Sequence, residues 1–312
     1  MTKVCDHSGK IPFNTLAPGF LAHAAEYEEA ALRVLRSGWY VLGEEVAAFE
    51  REYAAFLDIQ HCVGLNSGLD ALILAVRALG IGPGDEVIVQ ANTYIATALA
   101  ITHNGAVPVF VEPDALHGLD PARIEPAISP RTKAIMAVHL YGQPCDMTEI
   151  CDLAERARLP VIEDCAQSHG SLWNGRQTGT LGTIGCFSFF PTKNMGAFGD
   201  AGALVTRDAG IAERVRSLRN YGSRVKYVNE EEGINSRLDE IQAALLRVRL
   251  RHLAEINAER VTLAKKYAES LHSPFIRKPE MRPEATHVFY LYVIETEYRD
   301  RLQKHLADRG IG

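Results

Sequence analysis

The chain has 312 residues, of which 47% are hydrophobic and 23% are charged, and its formal net charge at pH 7 is −6. These values are typical of a globular protein with one large domain and part of a second, smaller one. The negative net charge provides no basic field for nucleic acid or for an anionic membrane surface. The six cysteines form no CxxC pair, and Arg77 interrupts the longest apolar stretch. We therefore expect reduced thiols, no membrane span and a cytoplasmic location.

Short apolar runs alternate with amphipathic stretches between residues 63 and 205, which predicts a parallel sheet covered by helices. The seven predicted strands are 61–65, 86–90, 107–112, 133–139, 160–164, 186–190 and 203–206. The predicted helices between them are 69–79, 93–103, 120–128 and 147–157. An amphipathic stretch over residues 27–57, broken at Gly38, precedes this core.

A second, smaller domain is predicted after the sheet. Residues 237–271 form a long helical pattern that connects to it, and we expect a strand over 287–295 and a helix over 298–308. The chain stops at Gly312 directly after that helix, so we expect the second domain to be partial. The predicted division is therefore an N-terminal arm and large domain over 1–236, followed by the bridging helix and small domain over 237–312.

Two charged residues follow buried strands of the predicted sheet. Ligands of open parallel sheets bind beyond the carboxyl ends of the strands, which makes these positions candidates for a site. Asp164 ends an apolar strand, although a lone aspartate there is more often a helix cap or a turn residue. Lys193 follows another strand among Gly, Phe and Met residues that solvate a charge poorly. Such surroundings favour the neutral amine that Schiff-base formation requires.

A turn of small residues over 64–71 precedes the first helix of the predicted sheet domain. Backbone N–H groups at a helix start can hold a phosphate, but a plain strand-to-helix turn has the same pattern, and neither GxGxxG nor Walker spacing is present. This turn could hold a phosphate, together with Ser188. Asp164 could pair with a pyridinium nitrogen, Lys193 could supply an amine for an aldehyde, and Tyr94 could supply an aromatic face. These groups match pyridoxal 5′-phosphate (PLP), so we predict PLP as the cofactor and no metal.

The order of the motifs resembles that of the DegT/DnrJ/EryC1/StrS sugar aminotransferases, over essentially the whole chain. The motifs are GL-x-SG-x-DAL, ANTYIAT, VIEDCAQSHG, FSFFPTKN and GINSRLDEIQAA. The resemblance implies an α/β protein of the aspartate aminotransferase fold type I. Its large domain would contain a mostly parallel seven-stranded sheet between helices, followed by a smaller α+β domain.

The resemblance also implies a role for each matching residue. Lys193 would form the internal aldimine with PLP and later move a proton between the coenzyme and the substrate carbon, and Asp164 would pair with the pyridinium nitrogen. Gln167 would contact the ring hydroxyl, and Tyr94 would stack on the ring. The cofactor phosphate would be held by Ser188 and by the backbone of Gly68, Leu69 and Asp70.

Asn235 matches the family residue that reaches the phosphate of the neighbouring subunit's coenzyme. The resemblance therefore implies an obligate homodimer with two shared sites. A plain turn asparagine before the predicted helix that starts at Arg237 is the alternative interpretation of the same residue.

The implied reaction has two halves. L-glutamate would convert PLP to pyridoxamine phosphate and leave as 2-oxoglutarate, and a nucleotide-linked keto-sugar would then accept the amine. Residues 220–229 and 235–240 resemble the members that aminate C3 of dTDP-3-keto-6-deoxyhexoses, and Gln167 stands where many C4-aminating relatives carry His. A C4 aminotransferase of the same family and a PLP-binding regulatory relative without turnover remain alternatives. Lys193 argues against the sugar 3-dehydratase branch, in which histidine replaces the lysine.

Overall fold

A seven-stranded mixed sheet forms the centre of the computed structural model, which describes residues 10–225 and 227–312. The strands of the chain are β1 (His61–Leu65), β2 (Glu86–Gln90), β3 (Val107–Val111), β4 (Thr132–Val138), β5 (Val161–Asp164), β6 (Leu172–Trp173), β7 (Arg176–Gln177), β8 (Ile184–Ser188), β9 (Gly202–Thr206), β10 (Ser223–Val225) and β11 (Val228–Asn229). The order in the large sheet is β1-β9-β8-β5-β4-β2-β3. β9 pairs antiparallel with β1 and β8, and the other pairs are parallel. The predicted seven-stranded, mostly parallel sheet is confirmed.

Helices cover both faces of this sheet. They are α1 (Ala17–Leu21), α2 (Ala24–Ser37), α3 (Glu44–Leu57), α4 (Gly68–Ala78), α5 (Ile95–Thr102), α6 (Pro121–Ile124), α7 (Met147–Ala157), α8 (Ala209–Leu218), α9 (Glu240–Ser270) and α10 (Arg299–Ala307). Apolar side chains of α4, α5 and α8 pack with the sheet in one core cluster, and those of α3, α7 and the start of α9 pack in others. Burial of both faces explains why the strands have continuous apolar sequences. None of the described helices is long and apolar enough to cross a membrane.

Most element boundaries lie within two residues of those predicted from the sequence. The largest differences are at two helices: α6 covers only Pro121–Ile124 of the predicted 120–128, and the long helix begins at Glu240, three residues later than predicted. The strand predicted over 186–190 is displaced by two residues, because β8 covers Ile184–Ser188. Its pairing with β9 ends at Ser188 and Gly202, and the chain then turns so that Lys193 N–H donates to the Phe190 carbonyl. Phe189 is fully buried although it lies beyond the strand, so the apolar run continues into the loop.

The strand predicted over 287–295 is wrong. Only Glu295 makes a β-bridge there, with Arg277, and Phe289 has a φ of 45°, which interrupts the extended backbone. The Val288 N–H instead donates to the carbonyl of Gly142 in the sheet domain. The segment is largely apolar because it packs as a loop over the large domain, without belonging to a ladder.

The cysteines agree with the expectation of reduced thiols. The five cysteines in the described part of the chain are all free, and four of them are buried. Cys5 lies outside the described residues.

Candidate active site

A cavity of about 570 Å³ opens at the carboxyl edge of the sheet, where β1, β4, β5 and β8 end. Neighbouring strands of the same direction bring their ends together at this edge, although the residues are far apart in sequence. The predicted site residues that line the cavity are Gly68, Leu69, Tyr94, Asp164, Gln167, Ser188 and Lys193. Two predicted residues, Asp70 and Asn235, do not line it.

Asp164 lies at the end of β5 with its carboxylate buried beneath the cavity. Its Oδ2 accepts a hydrogen bond from Thr97 Oγ1 at 2.8 Å, and its Oδ1 accepts one from the Ala166 N–H at 3.1 Å. Burial raises the pKa of Asp164, while these two hydrogen bonds and the nearby positive charge of Lys193 oppose that rise. The result is an oriented carboxylate for which a cation in the cavity would be a favourable partner.

Lys193 lies in the loop after β8, and its ammonium nitrogen is 4.2 Å from the ring centroid of Tyr290. This distance is that of a cation–π contact. The Tyr290 hydroxyl is 3.0 Å from Thr192 Oγ1, which fixes the ring beside the lysine loop. Tyr290 belongs to the irregular 287–295 segment, so residues after α9 contribute directly to the cavity wall.

The start of α4 forms one end of the cavity. Ser67 caps the helix, with its Oγ accepting from the Asp70 N–H at 3.1 Å. Gly68 lies so close to Ser188 that an added Cβ would be 2.4 Å from the serine Cβ. A helix start of this kind, beside a serine hydroxyl, suits a phosphate group. The Asp70 carboxylate accepts from Ser236 Oγ at 2.8 Å, and the Asp70 N–H already donates to Ser67, so a phosphate at this turn would have to replace or share that capping bond to reach Asp70.

Gln167 and Tyr94 stand on the walls between these two ends. Gln167 Oε1 accepts from the Tyr141 N–H at 2.7 Å, which leaves the amide NH₂ as the donor available to a ligand. Tyr94 immediately precedes α5, and 70% of its surface is exposed. An aromatic ring that is open on one side can stack on a flat ligand.

Asn235 is exposed and lies on the surface next to Asn220, with which it forms an antiparallel bridge. It does not line the cavity of its own chain. Its neighbour Ser236 is buried and donates to the Asp70 carboxylate, which holds residues 235–236 against the first turn of α4.

Sequence reasoning missed two groups that support the site. Tyr290 lies nearly 100 positions after Lys193, and no local pattern indicates that they meet. The second is a fully buried pair, in which His139 Nε2 and Glu163 Oε2 are 2.9 Å apart. Glu163 also accepts from the N–H groups of Gly179, Leu181 and Gly182, so it ties the loop before β8 to β5. An acidic residue inside an apolar strand was the only signal for it.

The residues present fit PLP, since the cavity combines a lysine amine, a buried carboxylate, an amide donor, an exposed aromatic ring and a helix start. Each of these groups has a counterpart on PLP: the aldehyde, the ring nitrogen, the hydroxyl, the ring face and the phosphate.

Comparisons with known proteins agree with this geometry. A family model described as the DegT/DnrJ/EryC1/StrS aminotransferase family matches residues 22–312. The dTDP-3-amino-3,4,6-trideoxy-alpha-D-glucose transaminase of Streptomyces venezuelae is 51% identical over 304 residues, which cover 97% of this chain and 80% of that relative. The erythromycin biosynthesis sensory transduction protein EryC1 of Saccharopolyspora erythraea is 50% identical over 303 residues, covering 96% of this chain and 83% of that relative.

A solved structure is similar over nearly the whole chain as well. The X-ray crystal structure of S. venezuelae DesV in complex with a ketimine intermediate has a TM-score of 0.95 and 51% sequence identity to this chain. The match covers 97% of this chain and 82% of the DesV chain.

Proposed function

Because the chain belongs to the DegT/DnrJ/EryC1/StrS aminotransferase family, we propose that it transfers an amino group from L-glutamate to C3 of a dTDP-linked 3-keto-6-deoxyhexose. The chain is a PLP-dependent aminotransferase. The choice of C3 is supported by the Streptomyces venezuelae relative, which is named for a dTDP sugar that carries its amine at C3. Half of the residues are shared with that relative across 97% of this chain.

The observation that carries the proposal is the convergence of Lys193 and Asp164 on one cavity, together with the start of α4. PLP, when bound, supplies an aldehyde that condenses with amines and a ring that accepts electrons from the substrate carbon. Lys193 would bind that aldehyde through its amine and, once released, carry the proton to and from the substrate carbon. Asp164 would hold a proton on the ring nitrogen, because its carboxylate is buried and oriented by Thr97.

The remaining predicted residues would fix the position of the cofactor. The α4 start and Ser188 would bind its phosphate, the Gln167 amide would donate to its ring hydroxyl, and Tyr94 would stack on its face. We also propose that two chains form a homodimer in which Asn235 reaches the phosphate in the partner's cavity. The division into a large domain over 1–236 and a smaller one over 237–312 is part of the same proposal.

The visible absorption spectrum of the purified, PLP-supplemented protein tests both halves of the reaction. L-glutamate should remove the band of the lysine-bound cofactor, and a dTDP-3-keto-6-deoxyhexose should restore it. Lys193→Ala should lack this band and all turnover, whereas Lys265→Ala, an exposed lysine on α9, should behave as the wild type. Turnover by the Lys193→Ala variant would contradict the mechanism.

The same spectrum separates the alternatives. A regulatory protein without turnover would bind PLP and keep the band after glutamate is added. This alternative is retained because the Saccharopolyspora relative is named a sensory transduction protein. A C4 aminotransferase would lose the band but would recover it only with a 4-keto-sugar. The position of the amine in the product, determined by NMR, decides between C3 and C4.

A further inference from the structure

A second cavity, of about 230 Å³, adjoins the lysine loop. Thr192 and Lys193 line both cavities, so the two cavities adjoin at these residues. Its remaining walls come from three parts of the chain: residues 14–20, the loop 191–198, and Arg249 and Arg260 of α9. The mechanism described above assigns no function to this space.

Two arginines of α9 face this cavity with most of their donors unused. Arg249 Nε donates to the Asn194 carbonyl at 3.2 Å. Arg260 Nη1 donates to the carbonyls of Phe289 and Tyr290 at 3.3 and 3.1 Å. Neither arginine forms an ion pair with a carboxylate anywhere in the described ranges. A guanidinium has five N–H groups, so each side chain has several left for a ligand.

The electrostatics of the pair also favour an anion. Burial lowers the pKa of Arg260, and the neighbouring charge of Arg249 lowers it further. Two like charges, one of them largely withdrawn from water, are costly unless an anion compensates them. Lys193 adds a third positive group on the wall of the same cavity. By contrast, Arg247 and Arg251 of the same helix are paired with glutamates.

We infer that Arg249 and Arg260 bind a carboxylate of the amino-acid donor, next to the amine of Lys193. This inference rests on the proposed function, because it names how that site recognises its donor. Guanidinium and carboxylate form strong, paired hydrogen bonds. The side chains of Leu16, Phe20 and Phe198 provide an apolar wall for the methylene groups of the donor.

The size of the cavity favours the donor over the nucleotide-linked sugar. Pockets for larger ligands usually occupy about 300–1,000 Å³, which fits the larger cavity and exceeds the smaller one. A dicarboxylate such as L-glutamate or 2-oxoglutarate needs little space, and one of its carboxylates can accept hydrogen bonds from both guanidinium groups. The two substrates would therefore use different walls around the same amine.

The test measures the two half-reactions separately in the holoenzyme, by loss of the visible band with L-glutamate and by its return with the keto-sugar. In Arg249→Met and Arg260→Met, the glutamate concentration for half-maximal rate should rise about tenfold or more, because a hydrogen-bonded ion pair is lost. The sugar half-reaction should change by less than about twofold. Arg251→Met is the matched control, since Arg251 lies on the same helix and pairs with Glu26 on the surface.

Binding measurements make the result independent of turnover. Calorimetry should show that succinate binds to the wild type more tightly than inorganic phosphate does, and that Arg260→Met removes this binding while Arg260→Lys retains part of it.

Variants with unchanged glutamate dependence and unchanged succinate binding would overturn the inference while leaving the proposed function intact. Tighter binding of phosphate would overturn it in favour of a nucleotide subsite. If glutamate never bleaches the wild type, the proposed donor fails, and succinate binding still decides whether the arginines bind a carboxylate.

Discussion

The electronic part of the proposed mechanism depends on the carboxylate of Asp164. We predict that Asp164→Asn still binds PLP but slows both half-reactions by about 100-fold or more, because a neutral amide cannot keep the ring nitrogen protonated. Stopped-flow absorbance after addition of glutamate gives the rate. Asp146→Asn on α7 is the control, since that side chain caps its own helix away from the cavity. Rates within a few-fold of the wild type would refute the assigned role.

The two reactive residues could be found from the sequence because each follows a buried strand. Asp164 and Lys193 mark strand ends, and parallel neighbours place such ends at one edge of the sheet. Thr97 and Tyr290 could not be assigned, because their contacts join residues that are 67 and 98 positions away. Contacts of this kind depend on packing between elements, which local periodicity does not encode.

At the scale of elements, the close contact between β9 and the start of α4 determines the shape of the proposed phosphate site. An added Cβ at Gly202 would lie 2.3 Å from the carbonyl carbon and oxygen of Ser67. We predict that Gly202→Ala lowers the free energy of unfolding by about 3 kcal/mol and weakens PLP binding, because the turn must move away from the sheet.

Gly82→Ala is the matched control, because its Cβ would meet only the Asn104 carbonyl oxygen, at an ordinary distance of 3.8 Å. Denaturant titration and PLP titration measure the two effects. Wild-type affinity for PLP in Gly202→Ala would show that the backbone of this turn does not bind the phosphate.

The buried pair of His139 and Glu163 connects β5 to the loop that precedes β8. Burial alone would raise the pKa of Glu163, but the hydrogen bond and charge of His139 and the N–H groups of Gly182 and Gly179 lower it below the ordinary 4.5. A carboxylate whose pKa is lowered on folding stabilises the protein above its unfolded pKa, and this stability is lost as the pH falls through the folded value.

We therefore predict that Glu163→Gln lowers the free energy of unfolding by about 3 kcal/mol at pH 7, because one amide cannot accept all of these donors. The difference from the wild type should begin to shrink below pH 4.5, where Glu163 of the unfolded chain takes up a proton, and should be lost as the pH falls through the lower pKa of the folded carboxylate. Thermal unfolding between pH 3 and 8 measures this trend, with the exposed Glu149→Gln as the control. A difference that is constant over this range would contradict the linkage.

The elements of the sheet domain could be predicted well because their periodicity and their packing agree. The failure at 287–295 has the opposite cause. Val288 is buried within an almost continuous apolar run, yet its N–H donates to the Gly142 carbonyl, and the carbonyls of Phe289 and Tyr290 accept from Arg260. A short apolar run occurs in any segment that packs on a core, so the pattern alone does not identify a strand.

At the scale of the whole molecule, the surroundings of Asn235 have the composition of an interface. Its bridge partner Asn220 precedes the half-exposed Tyr221, and Asp239, four positions after Asn235, forms a bridge with Val41, which lies two positions after Trp39. Trp39 is 64% exposed. Exposed aromatic side chains are typical of protein–protein contacts. Their exposure in the segments that bridge to residues 235–239 supports the proposed homodimer with a shared site.

Mixed dimers provide the sharpest test of that assembly. If each site takes Lys193 from one chain and Asn235 from the other, Lys193→Ala dimers are inactive and Asn235→Ala dimers bind PLP weakly. Mixed dimers of the two variants then contain one site with both wild-type residues. After joint unfolding and refolding of equal amounts, half of the dimers are mixed, so about a quarter of all sites should be intact and active at limiting PLP. Activity no higher than the mean of the two separate preparations would mean that Lys193 and Asn235 do not act on the same cofactor from different chains. A PLP-loaded monomer on a sizing column would exclude the shared site directly.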